Sequence, residues 1–222
     1  VEPGGKGIAI DKRRQSDGSI LAELHLSGAP AELLAKGPAV AKALEAAVSD
    51  TTALTAAELV GVSAKALEIT LDYIKTREQF DKPIGSFQVI QHRAVDLNVM
   101  CEVAQAGVRA ALAQMDSETD PKVRAPIASR AKARAVTAAK KITRDAIQLH
   151  GAVGYTDEFD IGLYLNRALV LSAWLGAASA LAGGTVDAAS PAGARSGVAW
   201  CTGKAADTDI MRYPLGRSTT PL

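Results

Sequence analysis

Two segments hold most of the side chains that could do chemistry: Arg77-Glu-Gln-Phe80-Asp-Lys-Pro-Ile84-Gly-Ser-Phe87-Gln88-Val-Ile90-Gln-His92 and Gln148-Leu-His150-Gly151-Ala152-Val-Gly154-Tyr155. Taken alone, an arginine and an aromatic at a helix end ordinarily make a surface ion pair and a core anchor. Glycines after a helical run end the helix and admit left-handed backbone. His92 and His150 have no serine or acidic partner in a triad pattern, so both read as structural histidines. Cys101 and Cys201 lie far apart without metal-ligand spacing. Taken residue by residue, no catalytic group and no metal cluster is legible in the two segments.

The elements that must position these segments are mostly helical. From about residue 50, Leu59, Val62, Ala66, Ile69 and Tyr73 step by three and four on one face. Thr55-Ala-Ala-Glu58 is either a capping box or an early turn of a helix begun near Ser49. Pro83 and Gly85 interrupt the pattern. A second helix places Ile90, Ala94, Leu97, Cys101, Ala104, Val108, Ala111 and Met115 on a seam suited to a near-antiparallel neighbour. Cys101 within that seam reads as a small core residue. Asp120-Pro121 opens a third helix with inner face Ala128, Ala131, Ala135, Ala138, Ile142, Ala146 and Leu149. Arg130, Lys132, Arg134, Lys140, Lys141 and Arg144 decorate the rest of it as a solvated face, and Gly151 stops it. A fourth helix sets Ile161, Tyr164, Ala168, Leu171, Leu175, Ala178 and Ala182 on one side.

Before the helices, residues 7–27 read as strand and turn: Gly7–Ile10 and Ile20–Leu26 flank Ser16-Asp17-Gly18-Ser19, an Asp-Gly hairpin signal. One hairpin is too little sheet to stand alone. After Gly183-Gly184 the chain is rich in Gly, Ala, Ser, Thr and Pro and reads as an irregular, extended tail. The expected fold is mainly α: an up-down four-helix bundle over residues 45–183, a β-hairpin remnant and linker over 1–44, and a tail over 184–222.

Composition agrees. Of 222 residues, 48% are apolar but only 4% aromatic, which favours closely packed alanine-rich helices over aromatic-rich strands. A formal charge of +1 gives no global case for nucleic acid or an anionic membrane. No apolar run is long enough to cross a bilayer, and cysteine usage suits a reducing compartment, so a cytoplasmic location is expected.

The two segments together, in this order and separated by two helices, resemble the C-terminal helical domain of the acyl-CoA dehydrogenases, over roughly residues 45–183. The resemblance implies an FAD cofactor whose ADP half these segments hold at a subunit interface. Arg77 would engage the pyrophosphate, where a planar, permanently charged fork suits paired phosphate oxygens. Phe80, Ile84 and Phe87 would wall the adenosine portion, with Gln88 and Ile90 completing that surface. Asp81 stands where the family often has glycine. Gln148, Gly151, Gly154 and Tyr155 match the family's Gln-x-x-Gly-Gly-x-Gly-[Phe/Tyr] turn, with Ala152 in place of its second glycine. The hairpin is then the end of the family's middle β-domain.

The reaction implied is α,β-dehydrogenation of an acyl-CoA thioester, which needs a carboxylate to take the α proton. Alignment brings Leu175-Gly176 onto the family's Glu-Gly position on the last bundle helix. The alternative position on the first helix falls near Thr51, and Asp50 beside it is rotated by about 100°. The resemblance also covers bacterial enzymes built of unlike subunits, one lacking the base, some acting on steroid side chains. The expectation is therefore a subunit of such a heterotetramer, with the acyl-CoA mainly on the partner. A complete dehydrogenase seen in part, and a helical scaffold that has lost FAD, stay open beside it.

Overall fold

Residues Pro38 to Thr76 form one 39-residue helix, α1 (Pro38–Thr76), in the computed structural model, which describes residues 4–156 and 158–176. The helix begins well upstream of the expected start near Ser49. Pro38 sits in the first turn, where its missing N–H costs nothing, and the alanine-rich run after it has high helix propensity. Nothing in α1 before Ser49 is buried, so apolar periodicity carries no signal there. Thr55 lies inside the helix, its hydroxyl donating to the Thr51 carbonyl at 2.7 Å, so Thr55–Glu58 is not a cap.

The buried face of α1 is rotated from the expected one. Leu59 and Ala66 are buried as the spacing predicts, but Ser63, Thr70 and Ile74 are buried where Val62, Ile69 and Tyr73 were expected, and those three are half-buried. The hydroxyls explain it: Ser63 and Thr70 each donate at 2.7 Å to the carbonyl four residues back. A small hydroxyl satisfied by its own helix can be buried at little cost.

The next two helices follow the sequence closely. In α2 (Gln88–Ser117) the seam from Ala94 to Met115, Cys101 included, is buried, with Ile90 half-buried at its start. In α3 (Pro121–His150) Asp120 accepts from the Lys122 N–H at 3.0 Å, and Gly151 ends the helix with φ 66°. Its expected alanine face is buried, but so is Lys132, which the sequence placed among the solvated basic residues. The last helix, α4 (Ile161–Ala173), buries Ile161, Ala168 and Leu171. It stops at Ala173 and does not continue through Leu175, which has φ 55° and is followed by Gly176 at φ 102°. Ala178, Ala182 and the expected tail lie outside the described residues.

The four helices form the expected up-down bundle, with α3 packed most extensively on α1. All four feed both core clusters. One centres on Leu59, Val108, Ala128, Ala135 and Leu171, the other on Ala66, Leu97, Ile142 and Ile161. Alanine along α3 lets the axes approach, and each fully buried Leu or Ile contributes about 1.5–3 kcal/mol. Among the described residues no helix is long and apolar enough to cross a membrane.

Strands β1 (Ile8–Arg14) and β2 (Ile20–Leu26) pair antiparallel, from Ile8 opposite Leu26 to Arg14 opposite Ile20. Asp17 shapes the turn by accepting from the Ser19 N–H at 3.0 Å and its hydroxyl at 2.6 Å. Ile20, Leu24 and Leu26 remain exposed. Two-residue strands β3 (Glu78–Gln79) and β4 (Lys82–Pro83) form a second hairpin between α1 and α2.

Candidate functional site

The two motif segments meet at one end of the bundle. Tyr73, in the last turn of α1, stacks on His150, the last residue of α3, with ring centroids 4.3 Å apart, and its hydroxyl donates to the His150 carbonyl at 3.3 Å. Phe159 closes on both rings edge-on. Arg77 follows Tyr73 by one turn and Gly151 follows His150 directly, so this aromatic stack sets the spacing between them. His150 Nδ1 lies 2.8 Å from the Ala146 carbonyl, which marks it as the protonated ring nitrogen. Its buried Nε2 finds no partner among the described residues. His92 is exposed on α2.

Arg77 caps the end of α1. Its N–H donates to the Tyr73 carbonyl at 2.9 Å and its carbonyl accepts from the Ile84 N–H at 2.8 Å, which fixes the backbone. The side chain is exposed, and the guanidinium has no hydrogen-bond or ion-pair partner among the described residues. The β3–β4 hairpin turns on Phe80 and Asp81, both in the left-handed region at φ 58° and 59°. Left-handed backbone is costly for residues with a Cβ, and such strain gathers at functional sites. Phe80 is 85% exposed and meets Phe87 edge-on at 6.1 Å, while Lys82 Nζ stands 4.3 Å over the Phe87 ring. Gln88, the first residue of α2, is exposed. Ile84 and Ile90 are half-buried and pack on the core, so they support this surface from behind.

At the second segment Gly151 is exposed in its left-handed conformation, with open space where a Cβ would stand. Ala152 is exposed and has no positive φ, so its methyl adds no backbone strain where the family has glycine. Gly154 is needed for close approach, because a Cβ there would come within 2.9 Å of the Ile147 carbonyl oxygen. Gln148 lines a cleft of about 520 Å³ with Arg93, Arg144, Asp145, Tyr155 and Leu165. Asp145 is paired with Lys141 at 2.6 Å. Arg93 and Arg144 have no partner among the described residues, so the cleft presents two unopposed guanidiniums. Sequence reasoning missed both. The available signal was the i,i+4 spacing of Arg144 and Gln148, which puts them on one face of α3.

The candidate base positions carry no free carboxylate. Thr51 donates its hydroxyl to the Ala47 carbonyl at 2.7 Å. Asp50 is ion-paired with Arg124, which also donates to the carbonyls of Met115 and Glu118, so Asp50 ties α1 to the α2–α3 connection. Leu175 occupies the bend after α4.

Residues 41–182 match the family model described as "Acyl-CoA dehydrogenase, C-terminal domain". The chain is 39% identical over 122 residues to "Acyl-CoA dehydrogenase IpdE2" of Mycolicibacterium smegmatis, covering 54% of this chain and 37% of that protein. It is 35% identical over 171 residues to "Acyl-CoA dehydrogenase FadE34" of Mycobacterium tuberculosis, covering 76% of this chain and 23% of that protein. Among solved structures it resembles a "Tcur3481-Tcur3483 steroid ACAD" variant, with TM-score 0.71 and 30% identity over 82% of this chain and 48% of that one. It also resembles the "ChsE4-ChsE5 complex from Mycobacterium tuberculosis", with TM-score 0.71 and 26% identity over 82% of this chain and 49% of that one. The chain thus spans well under half the length of these curated relatives and about half of these solved chains.

Proposed function

Since the chain belongs to the acyl-CoA dehydrogenase family, we propose that it serves a flavin-dependent acyl-CoA dehydrogenase of unlike subunits, contributing FAD contacts and assembly but not the catalytic base. The observation that carries this reading is the Arg77 guanidinium: exposed, backbone-fixed and without a protein partner among the described residues, beside an outward-facing Phe80. An unopposed fork next to an exposed aromatic suits a ligand with paired phosphates and an adenine.

The residues fit the ADP half of FAD. Arg77 would hold the pyrophosphate, and Phe80, Phe87 and Gln88 would face the adenosine, with Ile84 and Ile90 behind them. Gln148, Gly151 and Ala152 would approach from the end of α3, and Arg93 and Arg144 add positive charge next to Gln148. Bound FAD supplies the hydride acceptor for α,β-dehydrogenation of the thioester. The proton acceptor belongs on the partner, because Leu175 and Thr51 cannot accept a proton and Asp50 is tied to Arg124. Two of the similar structures carry names of paired subunits, and one is named a steroid enzyme, which supports a heterotetramer with the acyl-CoA mainly on the second subunit and a role in steroid or lipid breakdown. On this reading residues 45–183 are the bundle domain, and the β1–β2 hairpin, with its exposed Ile20, Leu24 and Leu26, is the end of a middle β-domain.

Co-expression with a neighbouring dehydrogenase subunit tests it. The complex is expected to purify yellow with bound FAD, and Arg77→Ala to assemble but lose flavin. A colourless complex, or unchanged flavin in the variant, would sink the proposal. A yellow, active homo-oligomer would instead favour a complete dehydrogenase seen in part, a reading that the half-length match to solved chains also supports.

A further inference from the structure

Lys132 is the largest fully buried side chain among the described residues, and it lies on a helix face lined mainly by alanine and aliphatic residues. A buried ammonium is costly unless its N–H groups are satisfied. Here two of the three are: Nζ donates to the Trp174 carbonyl and, at 2.9 Å, to the Gly176 carbonyl. No carboxylate pairs with it among the described residues, and burial alone pushes its pKa down to about 8, so at neutral pH it retains its charge and all three donors.

Its two acceptors bracket an unusual bend. Trp174 leaves the helix with extended backbone, Leu175 adopts φ 55°, and Gly176 follows at φ 102°. Leucine rarely occupies the left-handed region unaided. The carbonyls at the end of α4 have no partner within the helix and carry the negative end of its dipole, which a cation there satisfies.

We propose that Lys132 is a positioning residue whose ammonium, reaching from α3 through the core, clamps the Trp174–Gly176 turn in the bend that presents Leu175. This deepens the proposed function and rests on its reading of Leu175 as the position where a catalytic subunit carries its carboxylate. The clamp sets that position from the rigid interior of the bundle, independently of what residue stands there.

Amide hydrogen exchange on the full chain tests the clamp. Lys132→Met keeps an unbranched arm one atom shorter and removes the donors. It is expected to speed exchange at Trp174, Leu175 and Gly176 at least tenfold while leaving the middle of α3 unchanged. Lys132→Gln, with two N–H donors on a slightly shorter arm, should recover part of the protection. Wild-type rates in Lys132→Met, or a Gln variant no better protected than the Met variant, would overturn the assignment. Should neither variant fold, the wild-type protein decides: Lys132 ammonium protons, observed by ¹⁵N-lysine NMR near pH 6, should exchange far more slowly than those of surface lysines, and equal rates would overturn it. In the co-expressed complex Lys132→Met should retain FAD. Flavin loss matching that of Arg77→Ala would refute a role confined to the turn, whereas failure of the flavin reading itself would appear in Arg77→Ala and leave the exchange result intact.

Discussion

The guanidinium of Arg167 on α4 lies 2.8 Å from the Asp17 carboxylate at the tip of the β1–β2 turn and 2.6 Å from Glu58 on α1. One side chain therefore fastens the hairpin to two helices of the bundle, across 150 positions of sequence. The hydrogen bond from the Ser19 hydroxyl, with further help from Arg167, lowers the Asp17 pKa from 3.8 to about 2.

That shift has a definite pH signature. A carboxylate with a lowered folded-state pKa stabilises fully above its unfolded value and loses the contribution as pH falls through the folded one. Asp17→Asn is thus expected to be less stable than wild type at pH 5, with the gap closing between about pH 4 and pH 2. Urea denaturation of both proteins at several pH values checks this.

At Arg77 geometry should matter as well as charge. Arg77→Ala is expected to weaken FAD binding by roughly 10- to 100-fold, the scale of a charge-assisted contact. Arg77→Lys should recover only part, since an ammonium cannot present the fork. Titration of apo complex with FAD, followed by flavin fluorescence, orders the three proteins.

Asp81 tolerates its φ of 59° because short polar side chains visit the left-handed region more readily than others. Asp81→Gly should leave stability within about 0.5 kcal/mol of wild type, whereas a β-branched Asp81→Val should cost on the order of 1–2 kcal/mol. Thermal unfolding of the pair measures the strain at this turn.

Gly154→Ala places a methyl against the backbone of the last turn of α3, where the nearest atom is a carbonyl oxygen that cannot swing aside. A loss of roughly 1–3 kcal/mol is expected. Ala152→Gly, two residues beyond His150 in the same exposed turn region as Gly151, should change stability far less.

Lys132 predicts a rise of stability with pH, as Asp17 does, but in an alkaline window and because its charged form is the disfavoured one in the folded state. Its folded-state pKa of about 8 lies below the ordinary lysine value of 10.5, so between these limits the unfolded chain binds more protons and stability rises with pH. Relative to Lys132→Met, the wild-type protein should gain up to roughly 3 kcal/mol across that window. Paired denaturation curves from pH 7 to pH 10.5 separate the Lys132 titration from the others.

The seam of α2, the alanine face of α3 and its stop at Gly151 were legible because each depends on local rules: apolar spacing, a cap, a residue that accepts left-handed backbone. The early start of α1 was not, since propensity builds it without a buried stripe. Its true inner face was hidden because Ser63 and Thr70 pass as polar until their hydroxyls are seen to bond within the helix.

By itself the sequence determined the bundle and marked the two segments at the ends of its helices, because both follow from neighbours a few positions apart. Tertiary structure decided which charges are spent internally and which remain free. Lys132 and Arg144 share one basic run on α3, yet one is sealed in the core by the end of α4 while the other faces an open cleft. Asp50 and Asp17 are claimed by arginines far along the chain, and Arg77 is left unclaimed among the described residues. Burial and long-range pairing depend on where distant helices come to rest, and periodicity along one helix carries no record of that.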